Sequence, residues 1–258
     1  MSGQSSEIRY LLIMRTANPL LNDSTFTSAA VPAAQQMTLQ GTVNKTGLLL
    51  GMVFFTAVFT WNMVMEGNAS AKPWVFGGAI AGFVLAMVTS FKPNLAHITG
   101  SLYALAEGLF LGGISAMYEA QFNGIALQAV LLTGGTCLAL LAAYSLRLIK
   151  ATENFKLGIV AATGGIFLVY LATMVLGFFG INIPYIHSNG LIGIGFSAFV
   201  VVIAAMNLVL DFDFIENGCT NGAPKYMEWY AAFGLLVTLV WLYIEILRLL
   251  AKLSSRRD

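Results

Sequence analysis

The sequence predicts an all-α integral membrane protein, a bundle of seven membrane-spanning helices, on three observations. Hydrophobic residues make up 58% of the 258-residue chain and charged residues only 10%, a balance foreign to soluble domains. The apolar residues gather in seven long blocks, each enough to cross about 30 Å of hydrocarbon at roughly 1.5 Å per helical residue. Within each block the apolar character is continuous, not alternating with polar residues, which favours helices over a barrel because helices close their backbone hydrogen bonds internally.

The elements follow in order. Residues 1–46 form a polar leader whose apolar clusters, Tyr10 to Met14 and Pro19 to Leu21, are short, and whose first basic residue, Arg9, follows Glu7. That is not the pattern of a cleavable signal peptide, so the first span is expected to act as an uncleaved anchor. Spans are expected at Gly47 to Met65, Pro73 to Phe91, Ile98 to Tyr118, Gly124 to Ile149, Leu157 to Gly180, Leu191 to Ile215 and Tyr226 to Leu250. Residues 47–250 then make one transmembrane domain, and 251–258 a short basic tail. Gly108 and Gly112 form a small-xxx-small pair, and Gly134 with Gly135, Gly164 with Gly165, and Gly193 with Gly195 are expected to serve the same close approach of helices.

Loop charge sets the orientation. Arg9, Arg15, Lys45, Lys92, Arg147, Lys150, Lys156 and Lys225 fall on the amino-terminal side, whereas the inter-helix loops opposite carry only Lys72. The amino terminus is therefore expected in the cytoplasm. Lys252, Arg256 and Arg257 in the tail oppose this count, which leaves a re-entrant last segment as the alternative to a seventh crossing.

Several function classes fall away. A net charge of +1 with scattered basic residues gives no field for nucleic acid. Cys137, in the fourth span, and Cys219, in the last loop, lack metal-ligand spacing and read as free thiols. The two histidines, His97 and His187, are placed in loops, and no later histidine exists to activate Ser197 in the elbow-like Gly195-Phe196-Ser197-Ala198. No enzyme is expected.

What remains is a set of acids at membrane depth, each costing roughly 2.5–3.5 kcal/mol to insert unless paired, hydrated or functional. Asp211 lies near the end of the sixth block, and counting back by helical turns gives Asn207, Ala204, Val200, Ser197 and Gly193, a small and partly polar stripe suited to a protein-facing surface. Asp213 lies about 200° round the helix and is expected to snorkel to water. In the seventh block Ala231, Gly234, Thr238, Trp241, Glu245 and Arg248 share one broad face. Glu245 and Arg248, three apart, read either as an intrahelical ion pair or as part of a polar cavity wall. Glu228 is expected to reach the depth of Asp211 in a simple α-hairpin. It would then form a pH-sensitive latch with that acid, or else lie exposed at the interface. Glu107, mid-span beside Gly108 with Tyr103 one turn earlier, lines a cavity or is relieved by Arg248, a Tyr hydroxyl or a held proton.

Three blocks, MTLQGTVNKTG from Met37 to Gly47, YALAEGLFLGGISAMYE from Tyr103 to Glu119 and NLVLDFDFIENG from Asn207 to Gly218, are followed by AAFGLLVTLVWLYIEILRLL. Together they resemble the bacterial YccA-like branch of the Bax inhibitor family over about residues 16–250. The resemblance implies a last helix wrapped by the other six, in a bacterial inner membrane. It implies one of two activities: a pH-sensitive cation leak passing calcium transiently, with no resident cofactor, or a non-conducting modulator of a membrane-anchored AAA protease of the FtsH type. Its leak scheme pairs aspartates on the last two helices. Asp211 matches the first, whereas Thr238 stands where the second is expected, and Pro73 to Phe91 lacks the basic residue some members carry on the second helix. Glu228, Glu245 and Glu107 are the acids left to substitute, although Glu245 lies about 10 Å beyond Thr238 along the helix.

Overall fold

The computed structural model describes residues 35–180 and 190–256. They form α1 (Leu39–Met65), α2 (Ala71–Phe91), α3 (Ala96–Glu119), α4 (Ile125–Ser145), α5 (Glu153–Phe178), α6 (Leu191–Thr220) and α7 (Met227–Ser254). All seven helices are long and apolar enough to cross a membrane, and the protein is an all-α integral membrane bundle. Most of the leader, with Arg9, Arg15 and the two apolar clusters, lies outside the described residues, as do His187 and Arg257.

Polar caps move several helix ends away from the edges of the apolar runs. Helix α1 begins at Leu39, ahead of the expected Gly47, because the Thr38 hydroxyl accepts from Gly41 N–H at 3.0 Å and the polar first turns are covered, Thr42 and Thr46 both being buried. Thr152 likewise caps α5, accepting from Phe155 N–H at 3.4 Å. The N-terminus of α4 is capped across the turn by Glu119, whose two oxygens accept from Gly124 N–H at 2.5 Å and Ala126 N–H at 3.0 Å. Helix α4 stops at Ser145, short of the expected Ile149, and the chain turns through Arg147 at φ 57°. Helix α6 runs on to Thr220, so Cys219 is helical and not in a loop. His97, also expected in a loop, is an exposed residue of the first turn of α3. Helix α7 is unbroken over 28 residues, about 42 Å. It is long and apolar enough for a full crossing and has no break of the kind a re-entrant segment would need.

Helix α7 sits at the centre and packs against α1, α3, α4 and α6, while α2 lies on α3 and α5 on α6. One side of its core joins Leu49, Tyr103, Ala104 and Leu111 to Phe233 and Leu236. The other joins Ala129, Ala204 and Leu208 to Leu242 and Leu247. Gly108 and Gly112 make the expected close approach: a Cβ at either would strike the α1 backbone, at Val53 and Ala57 respectively. The exposed glycines of the other pairs do not behave this way. Gly134, Gly135, Gly164, Gly165 and Gly195 are exposed with nothing within 4 Å of an added Cβ, because α4, α5 and the start of α6 turn these positions outward.

Candidate functional site

The stripe read from the sixth block is buried along its whole length: Gly193, Ser197, Val200, Ala204, Asn207 and Asp211 all face protein. Asp211 is 2% exposed and lies nine residues before the end of α6 at Thr220, about 13 Å in from the helix terminus. Its neighbours Leu208, Val209, Leu210 and Phe212 are buried and apolar, and the Cys137 thiol of α4 lies within its electrostatic reach. One turn deeper, the Asn207 amide donates to Thr163 Oγ1 at 2.9 Å on α5 and to the Ile203 carbonyl at 2.8 Å. Thr238, at the matched position on α7, is 6% exposed and donates back to the Gly234 carbonyl at 3.3 Å.

The far end of the stripe holds a residue the sequence assigned only to the basic tail. Lys252 turns inward, is 6% exposed, and donates to the Gly193 carbonyl at 3.0 Å and Ser197 Oγ at 2.9 Å. A carboxylate near one end and an ammonium at the other therefore terminate one continuous buried face. The inward turn also removes one cation from the tail that opposed the loop-charge count.

Glu228 is neither at the depth of Asp211 nor exposed. It is the second residue of α7, at the tip of the α6–α7 hairpin, and is 0% exposed. Lys45 of α1 donates to its Oε2, Lys225 reaches Oε1 at 2.9 Å, and the Thr38 hydroxyl and N–H donate to Oε1 at 2.8 and 2.9 Å. Gly41 makes room for this knot, since a Cβ there would run into the carboxylate. The strand-like pairing of Gln36 with Pro224, with Met37 N–H to Ala223 O at 2.6 Å and Lys225 N–H to Gln35 O at 2.8 Å, ties the start of α1 to the same turn.

Asp213 is half-buried and paired with a lysine, not solvated alone. Lys156, which is buried, places Nζ 2.8 Å from Asp213 Oδ2, and Asn217 donates to the same oxygen at 2.9 Å. Tyr144 bridges onward, to Asp213 at 3.4 Å and to Glu216 at 2.5 Å, and Arg147 reaches Glu216 at 2.6 Å. Glu245 and Arg248 form the intrahelical pair, 2.9 Å apart, with Tyr170 of α5 as a third member: its hydroxyl lies 3.0 Å from Glu245 Oε1 and 2.9 Å from Arg248 Nη1. Arg248 therefore does not relieve Glu107, which sits apart in the α2–α3 seam at 9% exposure. Among the described residues no group of three His, Cys, Asp or Glu could hold a metal ion.

A family model described as Bax inhibitor 1 like matches residues 18–255. No curated protein and no solved structure matches the chain.

Proposed function

The chain belongs to the Bax inhibitor 1 like family, and on that premise we propose that it is a pH-sensitive cation leak in which calcium passes transiently along the buried face of α6 under the control of Asp211. The observation that carries this reading is an acid 2% exposed about 13 Å inside a membrane helix, on a stripe of small and polar residues. A hard cation takes oxygen ligands, and a titratable carboxylate couples its passage to pH. Asn207 and Ser197 line the route, and Lys252 stands at its far end as a tethered positive charge that raises the barrier to a passing cation. In this reading Glu228, Glu245 and Asp213, each paired with a cation, serve mainly to hold the helices together.

The proposed orientation puts the Glu228 end in the cytoplasm of a bacterial cell, as in the YccA-like branch. Among the described residues Lys45, Lys92, Arg147, Lys150, Lys156 and Lys225 gather at that end, against Lys72, Arg248, Lys252 and Arg256 towards the other. The second reading, a non-conducting modulator of a membrane-anchored AAA protease, is favoured by Thr238 at the position of the second aspartate. Purified protein reconstituted in liposomes tests between them. Calcium flux above that of protein-free vesicles supports the leak, and its absence supports the modulator.

A further inference from the structure

A cleft between α2 and α3 holds the acid that the proposed leak does not use. Glu107 stands at the middle of α3 (Ala96–Glu119), and is nine-tenths buried at 9% exposure. Its carboxyl rests against α2 at Gly82, where a Cβ would stand 2.7 Å from Oε2. It borders a cleft of about 220 Å³ walled by Ala79, Phe83, Ala86, Tyr103 and Phe110. Phe83 and the neighbouring Ile80 are each 68% exposed on the outer surface of the bundle, so the cleft opens towards lipid.

Among the described residues Glu107 makes no hydrogen bond or ion pair. Lys72, Lys92 and His97, the basic groups of α2, α3 and their junction, are exposed at the helix ends, well away from mid-span. A carboxylate here has no counter-cation among the described residues, and its oxygens are left to the cleft. One carboxyl also falls far short of the six to eight oxygens a calcium ion takes.

We propose that this cleft is a binding site for a lipophilic amine, which enters from the bilayer, sets its nitrogen on the Glu107 carboxyl and lays its hydrocarbon against Phe83 and Phe110. An amine satisfies both states of the acid, since it accepts the proton of the carboxylic acid through its lone pair and donates N–H to the resulting carboxylate. Arriving uncharged, it forms the ion pair in place, with one O–H bond broken and one N–H bond formed, so no bare ion crosses the hydrocarbon. The aromatic walls favour the ammonium further by cation–π attraction. At 220 Å³ the cleft is below the roughly 300–1,000 Å³ of sites that enclose a whole drug-sized ligand. It takes the nitrogen and first carbons while the rest of the chain stays in lipid.

The test uses the full chain in lipid nanodiscs, with dicyclohexylcarbodiimide, a membrane-soluble carboxyl reagent, read by peptide mass spectrometry. Glu107 should be labelled, and dodecylamine at ten times its half-protecting concentration should slow that labelling about tenfold, while dodecanol, of equal chain length, should not. Ala79→Phe fills the cleft without altering the acid and should abolish dodecylamine retention in native mass spectra at an unchanged melting temperature; Glu107→Gln should do the same. No labelling at Glu107, equal protection by dodecanol, or full retention of dodecylamine by either folded variant would overturn the proposal.

Discussion

The tip and the interior of the α6–α7 hairpin both carry a buried acid, in different surroundings. At the tip, Glu228 is gripped by two lysines and both donors of Thr38, and Lys45, which also lies over the Trp229 ring at 5.5 Å, fastens α1 to the start of α7. In the interior, Asp211 lies among apolar neighbours on a stripe that ends at an inward-turned lysine. An acid saturated with cations is fixed in charge and serves as a clasp. One at depth, on a face of small and polar groups, is the acid that the proposed leak sets beside a passing ion. The difference teaches that burial alone does not mark a functional carboxylate in a membrane protein; what surrounds it does.

Removing the clasp should have the largest effect. Glu228→Gln strips the charge facing Lys45 and Lys225, which can reach water at the interface and so recover part of the loss. We expect destabilisation of about 2 kcal/mol, a fall in Tm of roughly 4–8 °C, with the pH response of any flux intact. Thermal unfolding in detergent beside a flux assay reads both; an unchanged Tm with an altered pH response would reverse the assignment of the two acids.

Next in size is the far end of the stripe. Lys252→Met removes a positive charge that, at roughly 10 Å and an effective dielectric near 20, opposes a cation by about 1.7 kcal/mol per unit charge. Basal calcium flux should rise about tenfold or more, and a flux equal to wild type would remove Lys252 from the path.

Thr238→Asp is a smaller perturbation, placing a second acid on the buried face of α7. It should steepen the pH dependence through like-charge coupling with Asp211, measured as flux across a pH series. A profile identical to wild type would mean that the two positions do not sense one another. Orientation is read separately by single-cysteine labelling of the loop between Arg147 and Lys156 in intact cells. Protection from an impermeant outside reagent is expected, and labelling from outside would invert the topology.

Much of this was legible in the sequence, for definite physical reasons. Lipid imposes long apolar runs on a spanning helix, so the seven crossings could be read directly. Helical periodicity placed Asp211, Asn207 and Ser197 on one buried face, and spacing alone offered Glu245 with Arg248 as a pair. Partners distant in the chain were not legible. The grip of Lys45 on Glu228 depends on α1 packing against α7, and the Lys156–Asp213 pair on α5 lying beside α6. A count of loop charges also takes every lysine as solvated, and for that reason missed Lys252. The end of α6 was set too early because Glu216 and Asn217 look like loop residues, yet Tyr144, Arg147 and Asp213 hold them in a last helical turn. For the glycine pairs the sequence shows the small residue but not the neighbour, so it could not separate Gly108 and Gly112, which meet α1, from Gly134 and Gly164, which meet nothing.

The most direct test of the central claim is calcium flux through Asp211→Asn in liposomes over a pH series, in parallel with wild type. An amide keeps the shape and most of the hydrogen bonding of the acid but cannot titrate across this range. The account predicts a flux that no longer responds to pH, from a protein that still folds. A variant that conducts with the wild-type pH profile would contradict it.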